Sequence, residues 1–242
     1  MLEQIVEEMA FWFDEIKKRY LEKGTEVEQH LSSLRARIIA SGDSLEGNCF
    51  YYHNSCDIYE ALIPKQLNLL WCGLTAKKRI CEIGFNAGHS ALLFFLLRDT
   101  EPIDFTVFDI GRWAYTRPCM DYINEIYPNI RIEYLEGDSL IEVPKWVEKN
   151  QALLGAYDLV HVDGGHSEEC IQSDMLYADK LVCIGGNIIV DDSDDSNIKK
   201  CIESYLISGR YTELSILKTE NIQYPNGQVH KGYPHRVIQK QF

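Results

Sequence analysis

The sequence predicts an α/β fold. The sheet is doubly wound, mostly parallel and seven-stranded, ends in an antiparallel hairpin, and follows a helical N-terminal extension. Three observations predict it. From Lys78 onward, short apolar runs alternate with helix-like stretches. A glycine-bearing turn, GFNAG, follows the first run. The last two runs, YTELSILK and HRVIQKQF, flank a Pro/Gly-rich segment, YPNGQVHKGYP, long enough for a hairpin loop.

The elements follow in order. Residues 1–75 read as the extension and 76–242 as the α/β domain. Ile5, Met9, Phe13, Ile16 and Tyr20 recur at spacings of three and four, the stripe of an amphipathic helix. Leu31, Leu34 and Ile38 mark a second helix, and Gly42 and Gly47 bracket a loop. Ile58, Leu62, Leu67 and Leu70 mark a third helix, kinked or begun at Pro64. Strands are expected at Arg79–Ile83, 105–110, 130–138, 157–165 and 186–192. Helices are expected over HSALLFFLLRD, from Arg117 to Tyr127, in the polar stretch after 138, over 167–181, and from Ile198 to Leu206. Parallel strands joined by helices imply right-handed crossovers and helices on both faces.

Composition narrows the function. The chain has 242 residues, 45% apolar and 25% charged, which suits a folded globular domain and excludes disorder. The net charge of −13 repels phosphate backbones, so nucleic acid is a poor default partner. The longest apolar run, ALLFFLL, is far short of the ~20 residues that cross a bilayer, so no membrane association is expected. Eight cysteines form no C-x-x-C pair and no zinc spacing. The N-terminus lacks the basic start and unbroken apolar run of a signal peptide, which points to reduced thiols and a cytoplasmic location.

Ligands of such sheets bind beyond the carboxyl ends of the strands, so the strand ends carry the chemistry. In order they are Glu82-x-Gly84-x-x-x-Gly88, Asp109, Gly137-Asp138, Asp163 and Asp191-Asp192. Every strand delivers a carboxylate to one edge. Gly84 and Gly88 remove side chains where a ligand must come close, and the following helix offers free N–H groups to an anion. Glu82 would repel a pyrophosphate and welcome an ammonium, so an amino-acid ligand suits this turn. Asp109 is placed to accept two ribose hydroxyls or to cap a helix. Asp138 is placed to accept an adenine amino group or to close a turn. His161 shares a sheet face with Asp163 and reads as a core histidine with a backbone partner. His89 and Ser90 open the first helix of the domain, where they contact a ligand or cap.

The order EIGFNAG, VFD, EGDS, VDGGH resembles the class I S-adenosylmethionine-dependent methyltransferases over residues 78–242. VHVDGGHSEE followed by GGNIIVDDSDD looks most like the macrocin and cephalosporin-type small-molecule O-methyltransferases. The resemblance implies that Glu82, Gly84, Phe85, Gly88 and Ser90 surround the methionine end of S-adenosylmethionine. It assigns Asp109 to the ribose, Asp138 and Ser139 to the adenine, and Ile110 and Trp113 to the flanks of its ring. It also implies a magnesium ion on Asp163, Asp191 and Asp192. Three converging carboxylates would repel one another without a cation, and oxygen-only ligands suit Mg²⁺. The alternative for Asp191 to Asp195 is a solvated acidic loop.

Some of these relatives carry a second acid two residues after the first metal aspartate, where this chain has Gly165. His166 is the next candidate for the base, or else a helix cap. The expected activity is therefore divalent-metal-assisted methyl transfer to a small-molecule hydroxyl, with Asp163 and His166 at the reacting centre. The alternatives are a cofactor-binding partner subunit without catalysis and a methyltransferase acting on a macromolecule. The FYYHNS stretch, Phe50 to Ser55, reads as a lid or an aromatic plug, and the first helix as a lid element or a homodimer face.

Overall fold

The structure, a computed structural model, describes residues 2–51, 62–98, 102–214, 222–223, 229–230 and 235–242. Three helices come first: α1 (Leu2–Glu22), α2 (Gly24–Ser41) and α3 (Ile63–Thr75). Helix α3 starts at Ile63, which puts Pro64 in its first turn, where a missing N–H costs nothing. The side chains of Ile5 and Met9, and all of Ile58, lie outside the described residues.

Strand and helix then alternate as β1 (Arg79–Ile83), α4 (His89–Leu96), β2 (Ile103–Asp109), α5 (Thr116–Ile126), β3 (Ile130–Glu136), α6 (Ser139–Lys149), β4 (Tyr157–Val162), α7 (Glu168–Leu181), β5 (Val182–Asp191) and α8 (Ser196–Ile207). The chain ends with β6 (Tyr211–Glu213), a two-stranded ribbon of β7 (Ile222–Gln223) and β8 (Val229–His230), and β9 (His235–Lys240). The main sheet has seven strands in the order β3-β2-β1-β4-β5-β9-β6. The first five are parallel, and β9 runs antiparallel to both β5 and β6. The expected hairpin is thus present, with β9 inserted between β5 and β6. Strand β5 begins at Val182, four residues before the expected start, because Gly185 and Gly186 continue the strand.

Period-two alternation sorts the sheet into two faces. Ile80, Phe105, Val107, Leu159 and Ile189 pack under α3 and α4, in one core with Leu31 and Leu34 of α2 and Ile16 of α1. Cys81, Ile83, Val160, Val162 and Ile188 pack under α6, α7 and α8. The apolar stripe of the extension therefore enters the same core as the domain. Gly73 allows the tight crossing of α3 on α4, since a Cβ there would lie 2.3 Å from the Phe94 carbonyl oxygen. Among the described residues, no helix is long and apolar enough to cross a membrane.

Candidate active site

The same alternation continues past the apolar rows. Glu82 follows Ile80, Asp109 follows Phe105 and Val107, His161 and Asp163 follow Leu159, and Asp191 follows Ile189. The face under α3 and α4 thus turns polar at the carboxyl edge of the sheet, where β1, β2, β4 and β5 end together.

The switch point lies between β1, β2 and β4. Gly84 adopts φ +96, and a Cβ there would lie 2.0 Å from the Asp163 backbone oxygen. Its N–H donates to the Phe108 carbonyl at 2.8 Å, so the turn passes between two strand ends. Gly88 is the N-cap of α4, and the buried ring of Phe85 fills the space beside it. These glycines make room for backbone and for Phe85. Asp109 holds the turn from below, its Oδ2 accepting from the N–H of Phe85 at 2.9 Å and of Asn86 at 2.8 Å. Its Oδ1 accepts from Gly111 N–H at 2.8 Å. Asp109 therefore caps no helix: it braces the turn, and a carboxylate with about four lone-pair sites retains acceptor capacity.

Glu82 is fully buried. Its Oε1 accepts from the Ser90 hydroxyl and faces His161 Nδ1 at 2.9 Å. The expected backbone partner of His161 is replaced by this carboxylate, because strand backbone groups are already used by the ladder. Glu82 Oε2 and His161 Nε2 are buried without partners. His89 packs edge-on against Phe50 and Tyr51, and burial pushes its pKa down to about 4, so its ring is neutral. Residues 52–55 of the aromatic stretch lie outside the described residues.

Two cavities adjoin at Gly84, Asn86, Asp163 and Asp192. The outer one, about 510 Å³, is lined by Asp109, Ile110, Trp113, Asp138, Ser139 and His166 among others. Asp138 caps α6 through Oδ1, which accepts from Leu140 N–H at 3.0 Å. Trp113 stacks on Tyr115 at 6.1 Å, and Ile110 is largely exposed. The inner cavity, about 200 Å³, is lined by Lys65, His89, Ser90, His161, Asp163 and Asp191 among others. Of the extension loop at residues 46–49, Gly47 lines both spaces, Glu46 the outer one, and Asn48 and Cys49 the inner one. This loop is clamped to the glycine turn. Asn86 donates to the Glu46 carbonyl, and Tyr115 OH donates to Asn86 Oδ1 at 2.6 Å.

At the ends of β4 and β5, one oxygen each from Asp163, Asp191 and Asp192 gather within 4.8 Å of one another. Lys65 of α3 enters the group, its Nζ 2.5 Å from Asp191 Oδ2 with both side chains buried. Burial works against the lysine charge, but Asp191, Asp163 and Asp192 outweigh it and raise its pKa. Burial likewise opposes the Asp191 charge, and Lys65 overcomes it and lowers that pKa. Asp163 is pushed well above the usual carboxylate range by burial and by Asp191. His166 Nε2 lies 3.0 Å from Asp192 Oδ2, and this hydrogen bond raises the imidazole pKa despite opposing burial. Of the acidic loop, Asp195 caps α8 through Asn197 N–H at 2.8 Å.

Residues 81–193 match the family described as a methyltransferase domain. Over those residues the chain is similar to a methyltransferase domain. No protein of the curated set matches it. Solved structures share the methyltransferase fold. The O-methyltransferase from Bacillus cereus, solved with S-adenosylhomocysteine, aligns with a TM-score of 0.59 and 16% identity over 88% of this chain and 91% of its own. A Klebsiella pneumoniae protein assigned as an O-methyltransferase aligns with a TM-score of 0.58 and 17% identity, over 88% and 90% of the two chains. The O-methyltransferase TomG from Streptomyces achromogenes, solved with S-adenosylmethionine, gives 0.51 and 17% identity over 73% and 79%.

The residues at the glycine turn fit the amino-acid end of S-adenosylmethionine. Glu82 Oε2 is a buried acceptor without a partner, suited to an ammonium, and its neighbours Ser90 and His161 line the inner cavity. The acidic group also fits a divalent ion. Its donors are all oxygen, and Asp191 Oδ1 is buried without a partner. The sequence reading missed Lys65, Asn86 and Tyr115. The signal for Lys65 was that it is the one charged residue in IPKQLNLLWCGL.

Proposed function

We propose that this methyltransferase transfers the methyl group to a hydroxyl of a small molecule, assisted by a divalent ion such as Mg²⁺ on Asp163, Asp191 and Asp192. The convergence of those three carboxylates beside both cavities carries the reading. When bound, S-adenosylmethionine supplies a sulfonium methyl and the ion supplies Lewis-acid polarisation of the acceptor oxygen. Glu82 receives the methionine ammonium, Asp109 the ribose hydroxyls, and Asp138 the adenine amino group, with Ile110 and Trp113 beside the ring. Phe85, Gly84 and Gly88 shape the turn that carries these contacts, and Ser139 extends the adenine side.

His166 takes the hydroxyl proton. Its Nε2 is committed to Asp192, so in the neutral ring Nε2–H donates there and Nδ1 holds the free lone pair. Asp192 raises the pKa of the ring and so strengthens the base. Bound S-adenosylmethionine would supply the methyl group to the acceptor oxygen and depart as the neutral thioether, and His166 would hold the proton taken from that oxygen. Alignment is the main demand.

Turnover against a panel of hydroxyl-bearing acceptors, with Mg²⁺ and after chelation, tests the proposal. Transfer to oxygen that needs the ion agrees with it. Transfer to nitrogen alone, or full activity after exhaustive chelation, sinks it.

A further inference from the structure

Lys65 is the observation that the reaction scheme leaves unused. It belongs to the N-terminal extension, 98 positions before the first of the three carboxylates by the sequence numbering. Yet α3 delivers its ammonium to the end of β5, where Nζ meets Asp191 Oδ2 at 2.5 Å. Both side chains are close to nine-tenths buried, the lysine 11% and the aspartate 8% exposed. A buried ion pair is costly unless both charges are satisfied, so a chance contact at this depth would be selected against by its desolvation. The helix is held there firmly. Asn68, one turn on from Lys65, pairs with His235 Nε2 at 2.6 Å, and His235 stands opposite Asp191 in the β5–β9 ladder. Gln66 is tied to the Cys49 carbonyl at 2.8 Å and to the Tyr20 hydroxyl at 2.7 Å. Two polar positions of α3, Gln66 and Asn68, thus hold in place the helix that carries the lysine.

The two oxygens of Asp191 are used differently. Oδ2 belongs to Lys65, while Oδ1 is buried without a partner. A carboxylate pinned at one oxygen presents the other in a fixed direction.

We propose that Lys65 is the resident cation of the acidic centre, a positioning residue that fixes Asp191 and with which a divalent ion must share that carboxylate. The centre is then part-neutralised before any ion arrives. The lysine keeps the three carboxylates compatible with folding, and it moderates the attraction for a divalent ion. It also makes the extension a structural part of the centre. This rests on the reading of Asp163, Asp191 and Asp192 as a cation-seeking group, and the test separates the two.

The experiment is thermal melting of the full chain, with Mg²⁺ titrated in the absence of S-adenosylmethionine, for wild type, Lys65→Met and Lys65→Arg. Without Mg²⁺, Lys65→Met should melt lower than wild type. Loss of a unit positive charge within contact distance of a ligand should then strengthen Mg²⁺ binding by about tenfold or more, seen as a larger stabilisation at the same Mg²⁺ concentration. Lys65→Arg keeps the charge and should track wild type. If Lys65→Met does not fold, Lys65→Met with Asp191→Asn removes both partners and should recover folding. Failure of that pair to recover would overturn the proposal. So would a Lys65→Met protein that matches wild type in both melting and Mg²⁺ response, or one that is destabilised with no Mg²⁺ response. A wild type insensitive to Mg²⁺ beside a Lys65→Met variant that responds would uphold Lys65 as the resident cation and overturn the metal-assisted reading instead.

Discussion

Glu82 on β1 and His161 on β4 face each other in register, and Oε1 lies 2.9 Å from Nδ1 with both side chains buried. The Ser90 hydroxyl donates to the same oxygen. One carboxylate therefore orients two side chains that line the inner cavity. Glu82→Ala leaves both without their acceptor. The expected loss of stability is about 1.5–3 kcal/mol. Cofactor affinity should fall as well, because the ammonium partner is gone. Urea denaturation and calorimetry with S-adenosylhomocysteine check the two halves separately. Unchanged affinity would detach Glu82 from the methionine end.

Asp174 on α7 sets a pH dependence. It is fully buried, and burial pushes its pKa up from 3.8 to about 6, against a smaller lowering by a hydrogen bond from Ser139. A raised carboxyl pKa means that the folded state holds the proton more tightly than the unfolded chain. Stability from this group is thus present below about pH 4 and is lost as pH rises from about 4 through 6. The shift corresponds to roughly 3 kcal/mol at neutral pH. Asp174→Asn should remove that slope and raise the melting temperature at pH 7. A variant that melts lower than wild type at pH 7 would contradict the account. The residue lies against Gly164, where a Cβ would come within 2.7 Å of its Oδ2, so the effect should reach the Asp163 turn.

Tyr115 holds the loop of residues 46–49 on the glycine turn. Its hydroxyl donates to Asn86 Oδ1 at 2.6 Å and faces Glu46 N at 3.5 Å. Asn86 itself sits at φ +52, a left-handed conformation that asparagine tolerates better than branched residues do. Tyr115→Phe should cost about 1 kcal/mol of stability. It should also raise the KM for S-adenosylmethionine several-fold while leaving kcat nearly unchanged, since the loop lines both cavities and does not touch the reacting atoms. A fall in kcat with KM unchanged would place Tyr115 in the chemistry instead.

The legibility of this site follows from which forces set each residue. Strand ends are decided locally, by alternation and by the length of an apolar run. Asp109, Asp163 and Asp191 could therefore be placed on one edge from residue order. The partner of His161 depends on which side chain stands opposite in the neighbouring strand, and strand order is not written in local periodicity. Lys65 is further from reach. Its position on Asp191 depends on how α3 crosses α4, a crossing set by Gly73 and Phe94. The strand β9 was readable as a β-like run, but its insertion between β5 and β6 is a property of the whole sheet.

The three carboxylates make the most consequential prediction. Asp163 ends β4, Asp191 ends β5, and Asp192 follows in a strained left-handed conformation, φ +47, that turns its carboxylate toward His166. Such strain in a non-glycine residue persists where the surroundings impose it, and it often marks a site with a task. Asp163→Asn keeps the shape of the side chain and removes one negative charge. The cluster then has less hold on a divalent ion, and the ion-dependent part of turnover should disappear, a loss of about 100-fold or more in kcat if the ion supplies several kcal/mol to the transition state. Affinity for S-adenosylmethionine should change little, because its contacts come from the ends of β1, β2 and β3. Chelation of the wild type should reproduce the variant, and Mg²⁺ or Mn²⁺ should restore the wild type alone. If Asp163→Asn and chelated wild type both turn over at the full rate, the acidic cluster serves the fold through Lys65 and not the reaction. His166 and the alignment of the acceptor would then account for transfer without an ion.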